Sequence, residues 1–176
     1  MWTSDQNRTM AAQARKAFQD YYPDDVAHCY GCGRLNERGH QLKSYWDGDA
    51  TVARFTPLPY HTAIPGYVYG GLIASLIDCH GTGTAAAAAA RAAGHELSGD
   101  PGGSVQAPRF VTASLRVDYL RPTPLGPELE IRGVVKEASE RKVVVEATLS
   151  AEREVTARGT VIAVRMPQSM IELASS

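Results

Sequence analysis

Apolar and polar residues alternate over much of the second half of the chain. Within residues 111–119, five apolar residues stand at every second position: Val111, Ala113, Leu115, Val117 and Tyr119. A period of two is typical of a β-strand with one buried face. Comparable apolar runs predict three further strands, at residues 128–137, 141–150 and 154–165. Because short turns join these strands, we expect them to pair antiparallel.

A shorter pair of strands is predicted upstream. Residues 41–46 and 50–56 are β-like, and Asp47-Gly48-Asp49 separates them in the manner of a hairpin turn. The next residues, 57–69, contain three prolines and predict an ordered loop.

The pattern becomes helical from Gly70 to Ala93. Leucine and isoleucine occupy the first turns, an alanine run follows, and Gly94 stands where a helix C-cap is expected. A second helix is predicted over residues 5–21, where apolar residues recur at spacings of three and four before Pro23. The tail after Pro167 is predicted to be frayed.

This order of elements predicts an α+β fold, in which an antiparallel sheet wraps around one long central helix. A helix over residues 70–93 is about 36 Å long, and a curled sheet is the economical way to bury it. We predict a single globular unit. In it, the N-terminal helix and a Cys/Gly loop (1–40) pack on the main domain (41–167), and residues 168–176 form a C-terminal tail.

The composition is that of an ordinary globular protein. The 176 residues are 44% hydrophobic and 21% charged, with a formal net charge of −1. This balance gives no strong attraction to nucleic acid, and no run approaches the roughly 20 apolar residues of a membrane span. The first residues lack the pattern of a signal peptide, and the cysteines number only three. We therefore expect a cytoplasmic protein with reduced thiols and neither a membrane nor a nucleic-acid partner.

Asp78 is the most informative residue of the chain. It lies among leucine and isoleucine in the central helix, where a carboxylate is costly unless it is paired or used. Gly70 and Gly71 open the same helix, and the free N–H groups of a helix start can stabilise an oxyanion. Eight residues of helix separate Gly70 from Asp78 by about 12 Å, so one carbonyl cannot reach both in one chain. If the two act together, the protein is a dimer with composite sites. The alternative is a structural carboxylate that caps a loop or pairs with an arginine.

The Cys/Gly loop raises the question of a metal site. His28, Cys29, Cys32 and His40 include the Cys-x-x-Cys pair of many zinc sites, but the spacing of the two histidines is poor. We therefore predict a glycine-rich loop with small buried thiols and neither a metal nor another cofactor. Cys79, on a different helix face from Asp78, is predicted to pack in the core.

Three segments together resemble the PaaI-type hotdog thioesterases. HTAIPGYVYGGLIASLIDCHGTGTA is similar to that family's H-x-N-x-x-G-x-x-H-G-G signature, which is followed by an Asp. TASLRVDYLRPTPLG is similar to its strand that leads into Y-x-x-P-x-x-x-G, and HCYGCGRLNERGHQL to its C-x-x-C-G-x-x-N-x-x-G-L opening. The segments occur in the family's order and cover about a third of the chain.

The resemblance implies a hotdog fold and an acyl-CoA thioesterase that acts as a homodimer, with a dimer of dimers left open. It implies that Asp78 is the general base or nucleophile, that the Gly70 N–H polarises the thioester carbonyl, and that Thr112 supports the carboxylate. Residues expected to contact the substrate are His61, Tyr69, Gly71, Ser75 and Arg121. Ser75 shares the helix face of Asp78, and Arg121 is a candidate partner for a CoA phosphate.

Two residues depart from the family pattern. Tyr69 replaces the His before the glycine pair, and Ala63 replaces the Asn. The sequence therefore leaves a second function open, a catalytically silent hotdog protein that binds acyl-CoA. The Asp and His pair that a hotdog dehydratase needs is not obvious in this sequence. A DNA-binding regulator is also disfavoured, because the chain before residue 41 is too short for a helix-turn-helix domain.

Overall fold

The computed structural model describes residues 16–98 and 105–174 of the chain. These residues form six strands: β1 (Ser44–Asp47), β2 (Ala50–Phe55), β3 (Phe110–Tyr119), β4 (Leu129–Ala138), β5 (Lys142–Ala151) and β6 (Glu154–Arg165). The long helix α1 spans Gly70–Ala92, and a short helix α2 spans Gln168–Ala174. Two 3-10 helices, Phe18–Tyr21 and Asp24–Val26, precede the sheet.

All six strands belong to one antiparallel sheet in the order β1-β2-β4-β5-β6-β3. The hairpin β1–β2 turns at Gly48, whose φ of +62° suits glycine. Strands β4, β5 and β6 follow one another through short turns. Strand β3 instead pairs with β6, so this ten-residue strand forms one edge of the sheet, whereas the four-residue β1 forms the other.

Helix α1 lies against the inner face of the sheet and is covered on nearly every side. Every residue from Cys79 to Ala87 is buried. Glycines make this approach possible: a Cβ added at Gly81 would lie 2.6 Å from Val161 of β6, and one at Gly159 would lie 2.5 Å from Ile77. The predicted α+β fold, an antiparallel sheet around one long helix, is confirmed, and Gly94 (φ +83°) follows the helix as expected of a C-terminal cap.

His80 joins α1 to the hairpin through a fully buried polar network. Its Nδ1 lies 3.0 Å from Ser44 Oγ and its Nε2 lies 3.0 Å from Thr51 Oγ1. The Thr51 hydroxyl also lies 2.6 Å from that of Thr84, and Gln19 Nε2 donates to Ser44 Oγ. Because every member of the network has a partner, its polar atoms can be buried without a large cost.

The N-terminal prediction is only partly testable, since residues 1–15 lie outside the described part. The rest of the predicted helix is wrong in type, because residues 16 and 17 are not helical and Phe18–Tyr21 is a 3-10 helix. Tertiary bonds explain the difference. The Ser44 N–H donates to Gln19 Oε1, and Lys43 Nζ lies 2.6 Å from the Asp20 carboxylate, so packing overrides local helix propensity.

Two further expectations require correction. The tail after Pro167 is not frayed over its described length but forms α2, which starts with a hydrogen bond from the Met170 N–H to the Pro167 carbonyl. The alternating apolar residues of β3 are only partly covered: Val111 and Val117 are half-buried, and every residue from Thr112 to Arg116 is exposed. The division into residues 1–40, 41–167 and 168–176 stays a prediction.

Candidate active site

The start of α1 is held in place by the loop that precedes it. The Tyr69 N–H donates to the His61 carbonyl at 2.9 Å, and the Val68 N–H donates to the Thr123 carbonyl at 2.9 Å. Within the described ranges, the Gly70 and Gly71 N–H groups have no hydrogen-bond acceptor. This helix start therefore presents two unused donors, as the sequence predicts.

Two tyrosines surround these donors. Tyr119, at the end of β3, donates its hydroxyl to the Gly70 carbonyl at 2.8 Å. The Tyr69 ring folds over Gly71, where an added Cβ would lie 2.0 Å from its Oη. Both rings remain about half exposed. The contact of Tyr119 is not predictable from the sequence, because the alternation of β3 predicts a buried face and gives no sign of a bond to the helix start.

The Asp78 carboxyl group lies half-buried on α1, opposite β3. The Thr112 hydroxyl donates to Asp78 Oδ1 at 2.5 Å, which is the pairing expected from the family motif. Burial raises the pKa of Asp78, and the hydrogen bond from Thr112 opposes that rise. Among the described residues, no arginine or lysine forms an ion pair with Asp78, so the alternative of a structural salt bridge finds no support.

The other predicted site residues fall into different environments. His61 is half-buried, stacks on Phe55 and accepts the Leu58 N–H through Nδ1, so it orders the loop before α1; burial lowers its pKa. Arg121 is exposed and already forms an ion pair with Glu154.

Ser75 approaches the Cys/Gly loop: a Cβ added at Gly31 would lie 3.3 Å from Ser75 Oγ. In the described part of the chain, Thr112 is the side chain that donates to the Asp78 carboxylate, and Ser75 is not.

Comparison with known proteins agrees with this arrangement. A sequence model of the thioesterase superfamily matches residues 65–158, which include Gly70, Asp78, Thr112 and Tyr119. The chain belongs to the thioesterase superfamily. No match was found among the curated proteins.

Solved structures of the thioesterase superfamily resemble the chain in fold. A thioesterase superfamily protein from Shewanella loihica PV-4 is 54% identical; the match covers 82% of this chain and 98% of that one, with a TM-score of 0.61. The PaaI protein from the phenylacetic acid degradation operon of E. coli is 15% identical and matches 73% of this chain and 81% of its own, with a TM-score of 0.56. The TT0310 protein from Thermus thermophilus is 24% identical and matches 71% and 92%, with a TM-score of 0.52.

The chain is thus a PaaI-like, thioesterase-type protein with a hotdog fold. Within the described ranges, no helix combines the length and hydropathy needed to cross a bilayer. The Cys/Gly loop precedes the residues matched to the superfamily, so its role is a separate question.

Proposed function

We propose that this protein hydrolyses an acyl-CoA thioester to a free acid and CoA, with Asp78 as general base or nucleophile. The observation that carries the proposal is the Asp78 carboxyl group, which lies half-buried beside the exposed edge strand β3 and accepts a hydrogen bond from Thr112. A carboxylate held at the rim of a protomer, with a raised pKa and no cationic partner in the described residues, is suited to proton transfer.

The proposed site needs two copies of the chain. Gly70 and Asp78 lie about 12 Å apart along one helix, so the N–H of Gly70 in one protomer would serve the Asp78 of its partner. The exposure of β3 supports such pairing. Its apolar residues alternate as on a buried strand, yet Leu115 is 38% exposed and Tyr119 is 54% exposed. Within the described residues, one edge of the strand is unpaired.

The reaction then proceeds without a metal. The thioester carbonyl accepts hydrogen bonds from the N–H groups at the start of α1, which stabilise the oxyanion as it forms. In the general-base route, Asp78 takes a proton from water while the water oxygen bonds to the carbonyl carbon. The carbon–sulfur bond breaks, and the CoA thiolate leaves with its electron pair and regains the proton. In the nucleophilic route, Asp78 Oδ attacks first, and water hydrolyses the resulting anhydride.

A pair of variants tests both halves of the site. Asp78→Asn removes the base, and we expect a loss of about 10²–10⁴-fold in kcat. Gly70→Pro removes the N–H donor, and its Cβ would be in ordinary contact with Tyr119 Oη at 3.4 Å. Proline is tolerated at the first helical position, and Tyr69, with φ −65° and ψ 131°, already has a backbone compatible with a following proline. We expect it to lose about 10²–10³-fold in kcat. Release of free thiol from a panel of acyl-CoAs measures both.

Mixing the two variants tests whether the site is shared. In a mixed dimer, one site carries both defects and the other carries an intact Asp78 with an intact Gly70. After subunits exchange at equal amounts, we expect about a quarter of the original activity to return, since half the dimers hold one intact site of two. If activity stays at the level of the two separate variants, the composite site is wrong.

A second function is favoured by one observation. The family pattern has a histidine before the glycine pair, and here Tyr69 stands in its place with its ring over Gly71. The N–H groups at the helix start could then bind a thioester carbonyl, while the histidine side chain of the family is missing beside it. The protein would then bind acyl-CoA and not hydrolyse it. Saturable binding of a non-hydrolysable CoA thioester, together with no thiol release from any acyl-CoA in the panel, would favour this binder over the enzyme.

A further inference from the structure

Three cysteine thiols meet where the Cys/Gly loop packs on α1. The Sγ atoms of Cys29, Cys32 and Cys79 all lie within 4.8 Å of one another, and those of Cys29 and Cys79 are 3.9 Å apart. Cys32 and Cys79 are buried, and Cys29 is half-buried. Thiolates that share one tetrahedral zinc ion, with Zn–S bonds of about 2.3 Å, lie about 3.8 Å apart, so the observed spacing needs little adjustment.

The loop has the backbone shape of a metal-binding turn. The Gly33 N–H donates to the Cys29 carbonyl at 2.7 Å, which closes the turn that carries Cys29 and Cys32. Gly31 carries no side chain where the loop meets the helix: a Cβ there would lie 2.2 Å from Cys79 Sγ. The chain therefore brings a Cys-x-x-Cys pair into direct contact with a third cysteine, 47 positions further along the sequence than Cys32.

The surrounding charge suits three thiolates. Arg109 lies with its guanidinium carbon 4.4 Å from the centre of the Tyr22 ring, and its positive charge acts on all three sulfurs. Its Nη1 is buried and has no hydrogen-bond partner in the described part of the chain. Three thiolates and one divalent cation carry a net charge of −1, which the guanidinium would neutralise. With three neutral thiols, this half-buried guanidinium has no ion-pair partner among the described residues.

We propose that Cys29, Cys32 and Cys79 bind one thiophilic divalent cation, Zn²⁺, as three thiolate ligands. Binding releases three protons and makes three Zn–S bonds, and a water completes the tetrahedron. His28 and His40, the residues that sequence spacing associates with Cys29 and Cys32, do not belong to the sulfur cluster. The ion would fasten the Cys/Gly loop to α1 one residue after Asp78. This proposal does not depend on the thioesterase reaction.

Metal analysis of the full-length protein tests the site directly. Protein purified in the presence of zinc should contain about one Zn²⁺ per chain by elemental mass spectrometry. Cys32→Ser and Cys79→Ser should each lower this content at least tenfold. His28→Ala is the matched control, because His28 is exposed and adjoins Cys29 but lies outside the cluster, and it should retain the metal.

Cobalt keeps the proposal testable should the cysteine variants fail to fold. Unsubstituted protein stripped of zinc and titrated with Co²⁺ should develop thiolate-to-cobalt charge-transfer absorption that saturates at one equivalent, and Zn²⁺ should remove it. The proposal is overturned if Co²⁺ gives no such absorption and all three thiols of the native protein react freely with a thiol reagent. An intact mass two hydrogens short, which marks a disulfide between Cys29 and Cys79 as the normal state, would also overturn it.

Discussion

Two opposing effects act on the Asp78 carboxyl group. Burial raises its pKa, because the charged form loses solvent, while the hydrogen bond from the Thr112 hydroxyl favours the charged form. Thr112 does not reach a substrate through this contact. In the proposed site it would be a positioning residue, because its hydrogen bond favours the charged form of the carboxylate beside β3.

Removal of the Thr112 hydroxyl should therefore weaken catalysis by Asp78 while the carboxylate itself stays in place. We expect Thr112→Val to lower kcat about tenfold, the value of one charge-assisted hydrogen bond, and to move the acidic limb of the pH–rate profile to higher pH. Thr112→Ser restores the hydroxyl and should restore both quantities. An unimpaired Val variant together with an impaired Ser variant would show that the methyl group, and not the hydrogen bond, matters at this position.

His80 shows a stronger effect of burial. It is completely buried between α1 and the β1–β2 hairpin, and burial, together with the charge of Arg132, lowers its pKa to about 4. The unfolded chain, with a pKa near 6.5, binds the proton more readily than the folded one. Stability from this group is thus complete above about pH 6.5 and is lost as the pH falls toward about 4.

This shift predicts a measurable loss of stability in mild acid. Between about pH 7.5 and pH 5, His80 becomes protonated in the unfolded chain but largely not in the folded one. The free energy of unfolding should therefore fall by about 2 kcal/mol. His80→Gln retains a donor and an acceptor but does not titrate, so its unfolding free energy should fall by about 2 kcal/mol less over the same range. Urea unfolding at both pH values measures the difference. Identical pH dependence in the two proteins would contradict the assignment, because all other titrating groups are common to both.

At the scale of the elements, the contact between α1 and the sheet depends on glycines on both sides. Gly81 of the helix faces Val161 of β6, and Gly159 of β6 faces Ile77 of the helix. Glycine lowers helix stability by about 1 kcal/mol against alanine, yet here it lets the two backbones approach closely. The gain from close packing outweighs the local propensity.

A methyl group at Gly81 should push α1 away from the sheet. We expect Gly81→Ala to destabilise the fold by about 1–3 kcal/mol, since the new Cβ meets the Val161 side chain at 2.6 Å. The double variant Gly81→Ala/Val161→Ala should be more stable than the sum of its single changes predicts, because the smaller partner makes room. Strict additivity in urea unfolding would mean that the helix shifts freely and that the glycine is not required for packing.

Elements with regular patterns could be predicted from the sequence, and contacts between distant segments could not. The ends of α1 and β3–β6 fall within one or two residues of those predicted. The apolar periods of α1 and β4–β6 agree with how these elements are buried, and the alternation of β3 predicts a strand although much of it is exposed. The Asp78–Thr112 contact follows from the family motif. By contrast, periodicity places Cys79 on the core face of α1 but says nothing of which loop covers it, so its approach to Cys29 required the structure.

At the scale of the whole molecule, β3 is the strand whose pattern and environment disagree. Its alternation calls for one covered face, while the described protomer leaves Leu115 and Tyr119 exposed beside an unpaired strand edge. A second copy that pairs along β3 would cover these side chains. It would also bring a helix start near the partner's Asp78, so assembly and chemistry would depend on the same strand.

A charge on β3 should then separate assembly from folding. We expect Leu115→Asp to shift the protein from dimer to monomer in analytical ultracentrifugation and to lower activity about 10²–10³-fold, while its circular dichroism is retained. Val134→Asp is the matched control, since Val134 is an equally apolar residue, 46% exposed, on β4 away from that edge. It should remain dimeric and active. Dissociation of both variants, or of neither, would exclude β3 as the specific interface.

The two edges of the sheet differ in length, and this difference limits how many copies of the chain can join edge to edge. Each copy that joins through its ten-residue edge uses up that edge and its neighbour's at once, and what remains outside is the four-residue strand β1. So short a strand offers little template for further chains. Strand addition is therefore self-limiting, and a crowded solution should hold discrete pairs and not fibrils built on this sheet.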